Sequence, residues 1–302
     1  MMRRGQSGDA RQSTTGAVKA QGCQPSMPST KRPKLGQHFL QDPRYRKRIL
    51  DELRLRADDL VIEIGPGRGA MTGRLAEVVR KVVAIEIDSS LARRLQEEFA
   101  KESRVAILHA DVLSVDFAEL CRQQGVSQCL VFGNLPYYIT SPILYHLFAC
   151  RNCIRAMGLL VQHEVAERLA AEPGTRDYGY LTVCTQLHFQ PRIVLTVPPG
   201  AFSPPPKVHS ALVVFQVRTR FPNWAREEYE EFLEFVKRCF AQKRKTLVNN
   251  LAGSFSRDRV ARVLAEAGKP TNLRAEQLSV EELAAVFERL SPSSMLNDPL
   301  GL

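Results

Sequence analysis

The sequence predicts an α/β fold in which helices cover a mostly parallel sheet, followed by a smaller helical part. Three observations support this prediction. Short apolar strands alternate with helical patterns from residue 60 onward, a glycine-rich turn follows the first of these strands, and only helical patterns remain between residues 225 and 290. A chain of 302 residues can bury such a core and can divide into a larger and a smaller domain.

Charge and composition indicate the kind of partner. The chain carries a formal net charge of +10 and has a sequence pI of about 9.4. This balance favours a polyanionic partner, above all a nucleic acid. A hydrophobic fraction of 44% is ordinary for a soluble globular protein. No apolar run approaches the roughly 20 residues that span a bilayer, so we expect a cytoplasmic protein without a membrane partner.

The cysteines predict no metal site. The chain has seven of them, an odd number, and no secretory signal precedes them, which is typical of reduced thiols in the cytosol. Cys150 and Cys153 form a C-x-x-C pair. A zinc site would need a second such pair, and a redox motif would need a thioredoxin-like context. The sequence offers neither, so we interpret these cysteines as packing residues.

The N-terminal residues form two different segments. Residues 1 to about 30 are rich in Ser, Thr, Gly, Gln, Arg and Lys and lack hydrophobic periodicity, which predicts a disordered tail. A transit peptide has a similar composition, but no regular amphipathic face is present. Residues 31–40 mix basic and apolar side chains and lead into Asp42-Pro43, a helix-start signal. The cations of that helix, expected to end near Leu55, suit either a solvated face or a phosphate-contacting surface.

A glycine-rich turn marks the predicted cofactor site. Leu60 to Ile64 is a predicted strand, and Gly65-Pro66-Gly67-Arg68-Gly69 follows it. Gly65 and Gly67 would let the backbone approach a ligand at the N-terminus of the next helix. The next strand ends at Glu86, 21 residues after Gly65, where an acid can reach the two hydroxyls of a ribose.

The turn by itself leaves two ligands open. Gly65-x-Gly67-x-x-Ala70 also matches the loose fingerprint of dinucleotide binding, so NAD stays possible at this point. Pro66 inside the turn and acids at successive strand ends favour S-adenosylmethionine. That ligand has no pyrophosphate to bind, only an amino-acid end, a ribose and an adenine.

Polar side chains also follow the third and fourth strands. Asp111 can accept a hydrogen bond from an adenine amino group while Val112 packs on the ring, and an Asx turn is the structural alternative. The fourth strand, Cys129 to Phe132, is expected to stop at Gly133-Asn134. Because the carboxyl ends of strands in an open α/β sheet face one crevice, the acids and Asn134 are predicted to meet there.

Asn134-Leu135-Pro136-Tyr137 is the predicted catalytic segment. The Asn134 side-chain oxygen can accept one N–H of a nucleobase amino group, and a backbone carbonyl, that of Leu135 or of Pro136, can accept the other. Tyr137 offers an aromatic face to a base that has left its stack. A tight turn after a strand is the structural alternative, since Gly, Asn and Pro are ordinary turn residues.

Further residues are predicted to contact nucleic acid. The stiff loop from residue 198 to 207 can hold Phe202 over a base and place Lys207 near a phosphate, although a Pro-rich loop is also an ordinary connector. The helical part carries a basic cluster with no acid among its members. Solvation explains any one of them, but with the basic N-terminal segment they predict an extended nucleic-acid surface. The cluster consists of Lys237, Arg238, Lys243, Arg244 and Lys245.

Six motifs follow one another along the chain in a specific order. They are Gly36-Gln37-His38-Phe39-Leu40, Glu63-Ile64-Gly65-Pro66-Gly67, Glu86-Ile87-Asp88, Asn134-Leu135-Pro136-Tyr137, Phe202-x-Pro-x-Pro-Lys207-Val208-x-Ser210 and Phe240-Ala241-Gln242-Lys243-Arg244-Lys245-Thr246-Leu247. Together they resemble the family of small-subunit ribosomal RNA adenine N6,N6-dimethyltransferases. The resemblance covers about residues 33 to 290.

This resemblance implies the class I S-adenosylmethionine methyltransferase fold, which is Rossmann-like with one antiparallel strand, and a small all-α C-terminal domain. It implies transfer of two methyl groups to N6 of each of two adjacent adenosines near the 3′ end of small-subunit (16S) rRNA during ribosome biogenesis. By position, six residues would contact the cofactor, and His38 stands where many members carry Asn. These residues are His38, Leu40, Gly65, Glu86, Asp111 and Asn134.

The same resemblance implies the organisation of the chain. We expect a disordered basic tail (1–32), a methyltransferase domain (33–219), a helical RNA-binding domain (220–290) and a flexible tail (291–302). We expect S-adenosylmethionine without a metal as the cofactor, the rRNA of an immature small ribosomal subunit as the partner, and a monomer.

Three alternatives compete with this function. One is a large-subunit rRNA adenine methyltransferase of the resistance type, which the long helical C-terminal part disfavours. Another is a non-catalytic RNA-binding assembly or transcription factor on the same fold, against which the intact residues Glu86, Asp111 and Asn134 argue. An NAD oxidoreductase has the least support, since no residue is an obvious partner for hydride transfer.

Overall fold

A computed structural model describes residues 37–218 and 220–291 of the chain. The predicted N-terminal tail and all but the first residue of the predicted C-terminal tail lie outside the described residues. Within the described ranges no helix is both long enough and apolar enough to cross a bilayer.

The strands form one large sheet and one small sheet. Their bounds are β1 (Phe39–Leu40), β2 (Leu60–Ile64), β3 (Lys81–Glu86), β4 (Val105–His109), β5 (Cys129–Asn134), β6 (Ile154–Gln162), β7 (Phe189–Val197), β8 (Phe202–Ser203) and β9 (Ser210–Val217). The large sheet has the order β4-β3-β2-β5-β6-β9-β7, and β1 pairs with β8. Within the described residues, β9 runs antiparallel to β6 and β7, and the other neighbouring strands of the large sheet pair in parallel. The predicted α/β fold with one antiparallel strand is therefore confirmed.

Helices cover the sheet and then form the end of the chain. Their bounds are α1 (Pro43–Leu53), α2 (Thr72–Val78), α3 (Ser89–Glu98), α4 (Phe117–Gln123), α5 (Thr140–Ala149), α6 (His163–Ala170), α7 (Tyr180–His188), α8 (Arg226–Cys239), α9 (Leu247–Leu251), α10 (Arg257–Glu266) and α11 (Val280–Leu290). Asp42 caps α1 as predicted, because its carboxylate accepts from the Arg44 amide at 2.8 Å. The helix ends before Arg54, which adopts a left-handed backbone with φ +48°.

Three hydrophobic cores hold these elements together. Neighbouring residues of β2 point to opposite faces of the sheet, so Ile62 belongs to one core and Val61 to another. The helices after residue 225 enclose the third core, which also takes Val183 and Leu187 from α7. Cys184 of the same helix belongs to the core with Ile62. Because α7 contributes to two cores, the division of the chain at residue 219 stays a prediction.

The end of β5 differs from the prediction. The strand was expected to stop at Gly133-Asn134, but it includes both residues and pairs Gly133 with Ile64 and Leu159. A Cβ atom at Gly133 would lie 3.1 Å from the Ile64 Cβ and 3.2 Å from its carbonyl oxygen. Glycine therefore allows close packing between strands at this position, and the chain leaves the strand only after Asn134.

Candidate active site

The glycine-rich turn lies at the carboxyl edge of the sheet, directly after β2. Gly65 and Gly67 have φ angles of +66° and +59°, in the left-handed region that favours glycine. A Cβ atom at Gly67 would also lie 2.7 Å from the Phe39 ring. The turn therefore packs against β1, and a side chain at Gly67 would break that contact.

Glu86 ends β3 and holds the turn in place. It is buried, and its carboxylate accepts from the amides of Gly67 at 3.1 Å and Asp88 at 3.0 Å. Burial raises the pKa of Glu86, while these two hydrogen bonds act in the opposite direction. Each carboxylate oxygen keeps a further lone pair, so Glu86 can still accept from ribose hydroxyls. That role stays a prediction.

The residues after β3 and β4 lie side by side, because these strands pair in parallel up to their last residues. Asp111 forms the Asx turn that the sequence analysis gave as the structural alternative to an adenine contact. Its carboxylate accepts from the Leu113 amide at 2.9 Å. Val112 is buried beside it. Ile87, which sequence reasoning did not select, is 51% exposed. Its position as an apolar residue between two acids, Glu86 and Asp88, was the signal in the sequence that could have identified it. The exposed Ile87 side chain provides a surface that suits a flat ring such as adenine.

Glu63 is a second functional candidate that sequence reasoning missed. It lies in the middle of β2, is only 2% exposed, and borders a small cavity of about 40 Å³ together with Gly65 and Asn134. Burial raises the pKa of Glu63 to about 7, and the charge of Glu86 adds to this shift, whereas the Thr72 hydroxyl, which donates at 2.6 Å, opposes it. The site therefore contains a carboxyl group that titrates near neutral pH.

Asn134 is held in one orientation by His38, the residue directly before β1. Its side-chain Nδ2 donates to the His38 carbonyl oxygen at 2.8 Å. With the amide nitrogen committed in this way, the side-chain oxygen is free to accept a hydrogen bond from a ligand. The predicted role of Asn134 as an acceptor is compatible with this geometry.

The two backbone carbonyls that follow Asn134 differ in their surroundings. The Pro136 carbonyl already accepts from the Thr140 hydroxyl at 3.0 Å and from the Ile139 amide at 3.2 Å. Within the described ranges no donor reaches the Leu135 carbonyl, while the Leu135 amide donates to Leu160 at 3.0 Å. Of the two predicted acceptors for the second N–H, the structure therefore favours Leu135.

The Tyr137 ring is held at its hydroxyl end. The hydroxyl shares a hydrogen bond with the Ser210 side chain at 2.7 Å, and the centre of the ring lies 5.6 Å from the His38 ring. Burial raises the pKa of Tyr137 despite the hydrogen bond to Ser210, so the phenol is neutral at physiological pH. The residue is suited to offer a flat surface and is poorly suited to act as a base.

The segment around His38 meets the loop around Phe202, a contact that the sequence did not predict. Leu40 pairs with Phe202, and the His38 Nδ1 donates to the Pro204 carbonyl oxygen at 2.7 Å. Two motifs far apart in the chain thus form one small sheet beside Asn134. The predicted contacts of His38 and Leu40 with a cofactor stay predictions.

Phe202 is buried in this arrangement. It is 4% exposed and belongs to the same core as Leu40 and Phe132. The ring therefore lies in the wall behind the site rather than over an open space. Its predicted stacking on a base stays a prediction that requires the β8 segment to move.

The predicted RNA-binding cations fall into two groups. Lys237 and Arg238 each form an ion pair with Glu234 at 3.6 Å, an acid one turn earlier in α8. Lys243 donates to the Arg176 carbonyl oxygen. The remaining cations are exposed and have no partner within the described ranges. These are Lys207, Arg244 and Lys245.

Four cysteines come together at the opposite edge of the sheet. The thiols of Cys129 and Cys121 lie 3.3 Å and 3.8 Å from the Cys153 carbonyl oxygen. The fold thus brings Cys121 and Cys129 close to Cys150 and Cys153, although the sequence contains no second C-x-x-C pair of the kind that a zinc site needs. The described residues nevertheless contain no group of His, Cys, Asp or Glu side chains arranged to hold a metal ion. Burial raises the pKa of Cys153 to about 12, as expected for an unreactive thiol.

Comparison with known proteins identifies relatives over most of the chain. Residues 28–291 match the family model described as ribosomal RNA adenine dimethylase. A protein from Acidobacterium capsulatum named ribosomal RNA small subunit methyltransferase A is 44% identical over 264 residues, which cover 87% of this chain and 92% of that protein. A protein of the same name from Geobacillus thermodenitrificans is 41% identical and covers 85% and 90%.

Solved structures resemble the chain as well. The 23S rRNA methyltransferase ErmE superimposes with a TM-score of 0.67 at 29% identity, over 83% of this chain and 99% of that one. A dimethyladenosine transferase from Plasmodium falciparum gives a TM-score of 0.69 at 24% identity, over 82% and 96%. This second likeness supports the fold.

We expect the substitution Glu63→Gln to change how stability depends on pH. The folded state binds the Glu63 proton more tightly than the unfolded state, so the wild type loses stability as pH rises from about 4.5 to 7. A shift of this size corresponds to about 3 kcal/mol. The free energy of unfolding of the variant, relative to that of the wild type, should therefore rise by on the order of 3 kcal/mol from pH 5 to pH 8. Urea unfolding at the two pH values measures this difference.

The control for this experiment is Glu97→Gln, which removes an exposed carboxylate on α3. It should follow the wild type at both pH values. If Glu63→Gln and Glu97→Gln show the same pH dependence, Glu63 does not titrate near neutral pH.

Proposed function

The chain belongs to the ribosomal RNA adenine dimethylase family, and from this premise we propose how its residues act on small-subunit rRNA. The protein is an S-adenosylmethionine-dependent rRNA adenine dimethyltransferase. We propose that its targets are N6 of two adjacent adenosines near the 3′ end of small-subunit rRNA. The observation that carries the mechanism is the Asn134 amide, whose nitrogen donates to the His38 carbonyl, so that its oxygen is left to accept from a ligand.

Sequence identity supports the small subunit as the substrate. The relative from Acidobacterium capsulatum that is named for the small subunit is 44% identical, whereas the 23S rRNA enzyme ErmE is 29% identical. The chain also has a complete third core formed by α8 to α11 and part of α7. We therefore prefer the small subunit to the large subunit.

The residues at the sheet edge fit S-adenosylmethionine by their chemistry. Two buried carboxyl groups, Glu63 and Glu86, suit a ligand that carries positive charge and a ribose. Exposed Ile87 suits an adenine ring, and the Asp111 carboxylate suits its amino group. When bound, the cofactor supplies an electrophilic methyl group.

The protein contributes alignment to the methyl transfer. The Asn134 oxygen and the Leu135 carbonyl would accept the two N–H groups of the adenine, which directs the N6 lone pair toward the methyl carbon. The cofactor would supply this methyl group to N6 with its thioether sulfur as the leaving group, and the displaced N6 proton would pass to water. Such alignment can supply on the order of 7–11 kcal/mol of barrier reduction in good cases. The neutral phenol of Tyr137 is consistent with a reaction that needs no strong base.

Other residues support contact with the rest of the substrate. We propose that Lys207, Arg244 and Lys245 bind RNA phosphates, since these cations are exposed and unpaired within the described ranges. We propose that the protein acts as a monomer. We propose that the protein acts in the cytoplasm on immature small subunits, where the rRNA is still accessible.

The decisive experiment is methyl transfer from labelled S-adenosylmethionine to immature small subunits and to large subunits, with the product nucleosides resolved. We expect dimethyladenosine in small-subunit rRNA. Label confined to large subunits would show that the enzyme methylates large-subunit rRNA instead. Firm binding to small subunits without any label would indicate a non-catalytic assembly factor.

We expect Asn134→Ala to lower turnover about a hundredfold, the loss that follows removal of one fixed hydrogen-bonding group from an active site. Cofactor affinity, measured by calorimetry, should fall much less than turnover, because Asn134 is only one of six residues expected to contact the cofactor. Asn152→Ala is the matched control, because Asn152 is exposed and lies at the far end of the sheet, two residues before β6 begins. Normal turnover in Asn134→Ala would remove Asn134 from the reaction.

We expect Glu86→Gln to weaken cofactor binding about tenfold, since the substitution removes a charged acceptor for the ribose hydroxyls while preserving shape. Calorimetry measures this affinity directly, and Glu97→Gln serves as the control. An unchanged dissociation constant would contradict the ribose assignment.

A further inference from the structure

A second concave region lies apart from the site at the sheet edge. It is a cleft of about 590 Å³ between the start of α7 and the segment after α8, and none of its lining residues borders the cavity beside Glu63. We propose that this cleft binds an unpaired nucleotide of the RNA substrate, different from the adenosine presented to Asn134. The proposal rests on the proposed function, because it assumes RNA as the substrate.

The size and the aromatic residues of the cleft suit a nucleotide. Pockets of roughly 300–1,000 Å³ bind small organic ligands, and the cleft falls within that range. Tyr180 and Phe240 line it, and Tyr180 is partly exposed. The Tyr180 ring lies 6.3 Å from the ring of Tyr145, which supports it from outside the cleft. Unpaired bases stack on such rings in single-stranded RNA recognition.

The charges of the cleft suit a phosphate. The lining includes three cations, Arg168, Arg176 and Lys243, and two acids, Glu164 and Asp177. Arg168 is paired with Glu164. Arg176 is exposed, and no acid within the described ranges pairs with its guanidinium. The planar guanidinium can bind a phosphate through two parallel hydrogen bonds.

Hydrogen bonds hold the walls of the cleft in position. The Thr182 hydroxyl donates to the Arg168 carbonyl at 2.6 Å and accepts from the Gly179 amide at 3.0 Å, which ties α7 to α6. Lys243 donates to the Arg176 carbonyl from the opposite wall. The cleft is therefore formed before RNA binds, which lowers the ordering cost of binding.

The cleft is within reach of RNA bound at Asn134. Leu160 of β6 pairs with Asn134, and α6 begins at His163, shortly after this strand position. The eight residues of α6 span about 12 Å, and Arg168 lies on that helix. A single strand that presents an adenosine to Asn134 can therefore place a nucleotide from the same strand in the cleft.

The first test compares two charge reversals, Arg176→Glu and Arg93→Glu. Both residues are exposed arginines, but Arg93 lies on α3, outside the cleft. Binding to immature small subunits is measured over a range of salt concentrations. Arg176→Glu should bind about tenfold more weakly than Arg93→Glu. The slope of the logarithm of its binding constant against the logarithm of salt concentration should be shallower by about one. Equal affinities and slopes would overturn the proposal.

The second test addresses stacking with Tyr180→Phe and Tyr180→Leu. The first variant keeps the ring and should bind like the wild type, whereas the second should lose about tenfold in affinity. The dissociation constant of S-adenosylmethionine and the thermal midpoint should match in both, which excludes misfolding. Equal affinity of both variants would overturn the aromatic role of the cleft.

Methyl transfer by the wild type separates this proposal from the proposed function. Firm RNA binding that depends on Arg176 and Tyr180, without methyl transfer, would contradict the proposed methyltransferase function and support nucleotide binding in the cleft. Methyl transfer by the wild type, together with wild-type affinity of Arg176→Glu and Tyr180→Leu for immature small subunits, would support the proposed function and contradict nucleotide binding in the cleft.

Discussion

The hydrogen bond from the Asn134 side chain to the His38 carbonyl is the constraint on which the catalytic arrangement depends. An amide can turn either its oxygen or its nitrogen toward a ligand, and a carbonyl accepts only from the nitrogen. The backbone position of His38 therefore decides which end of Asn134 meets a substrate. That position depends on the pairing of β1 with β8, so the loop around Phe202 influences Asn134 without contacting it.

The sequence predicted the parts of this site that follow from topology and left out those that follow from distant contacts. Parallel strands place their carboxyl ends at one edge, so Glu86, Asp111 and Asn134 could be grouped from their positions after predicted strands. The pairing of β1 with β8 joins two-residue strands more than 160 positions apart. Strands this short have no periodicity, so no local pattern could predict that contact.

Glu63 was missed for a related reason. In the sequence it is one polar residue inside an apolar strand, and such a residue is commonly assigned to a solvated face. Only the folded sheet shows that β2 is buried on both faces and that Glu63 lies near Glu86. Burial, together with that second acid, then brings the pKa of Glu63 to about 7. The pKa of a buried group depends on three-dimensional neighbours, which a linear pattern does not contain.

The distribution of charge links the two regions that we assign to substrate. The chain is basic overall, with a net charge of +10, yet the sheet edge carries Glu63, Glu86 and Asp111. In their ionised form, the acids at this edge favour a cationic ligand and repel phosphates. We therefore propose that an RNA strand inserts only an uncharged base into the crevice, while its phosphates stay with cations such as Arg176. On this proposal the separation of acids from cations orients the strand, and hydrogen bonding at Asn134 would select the base.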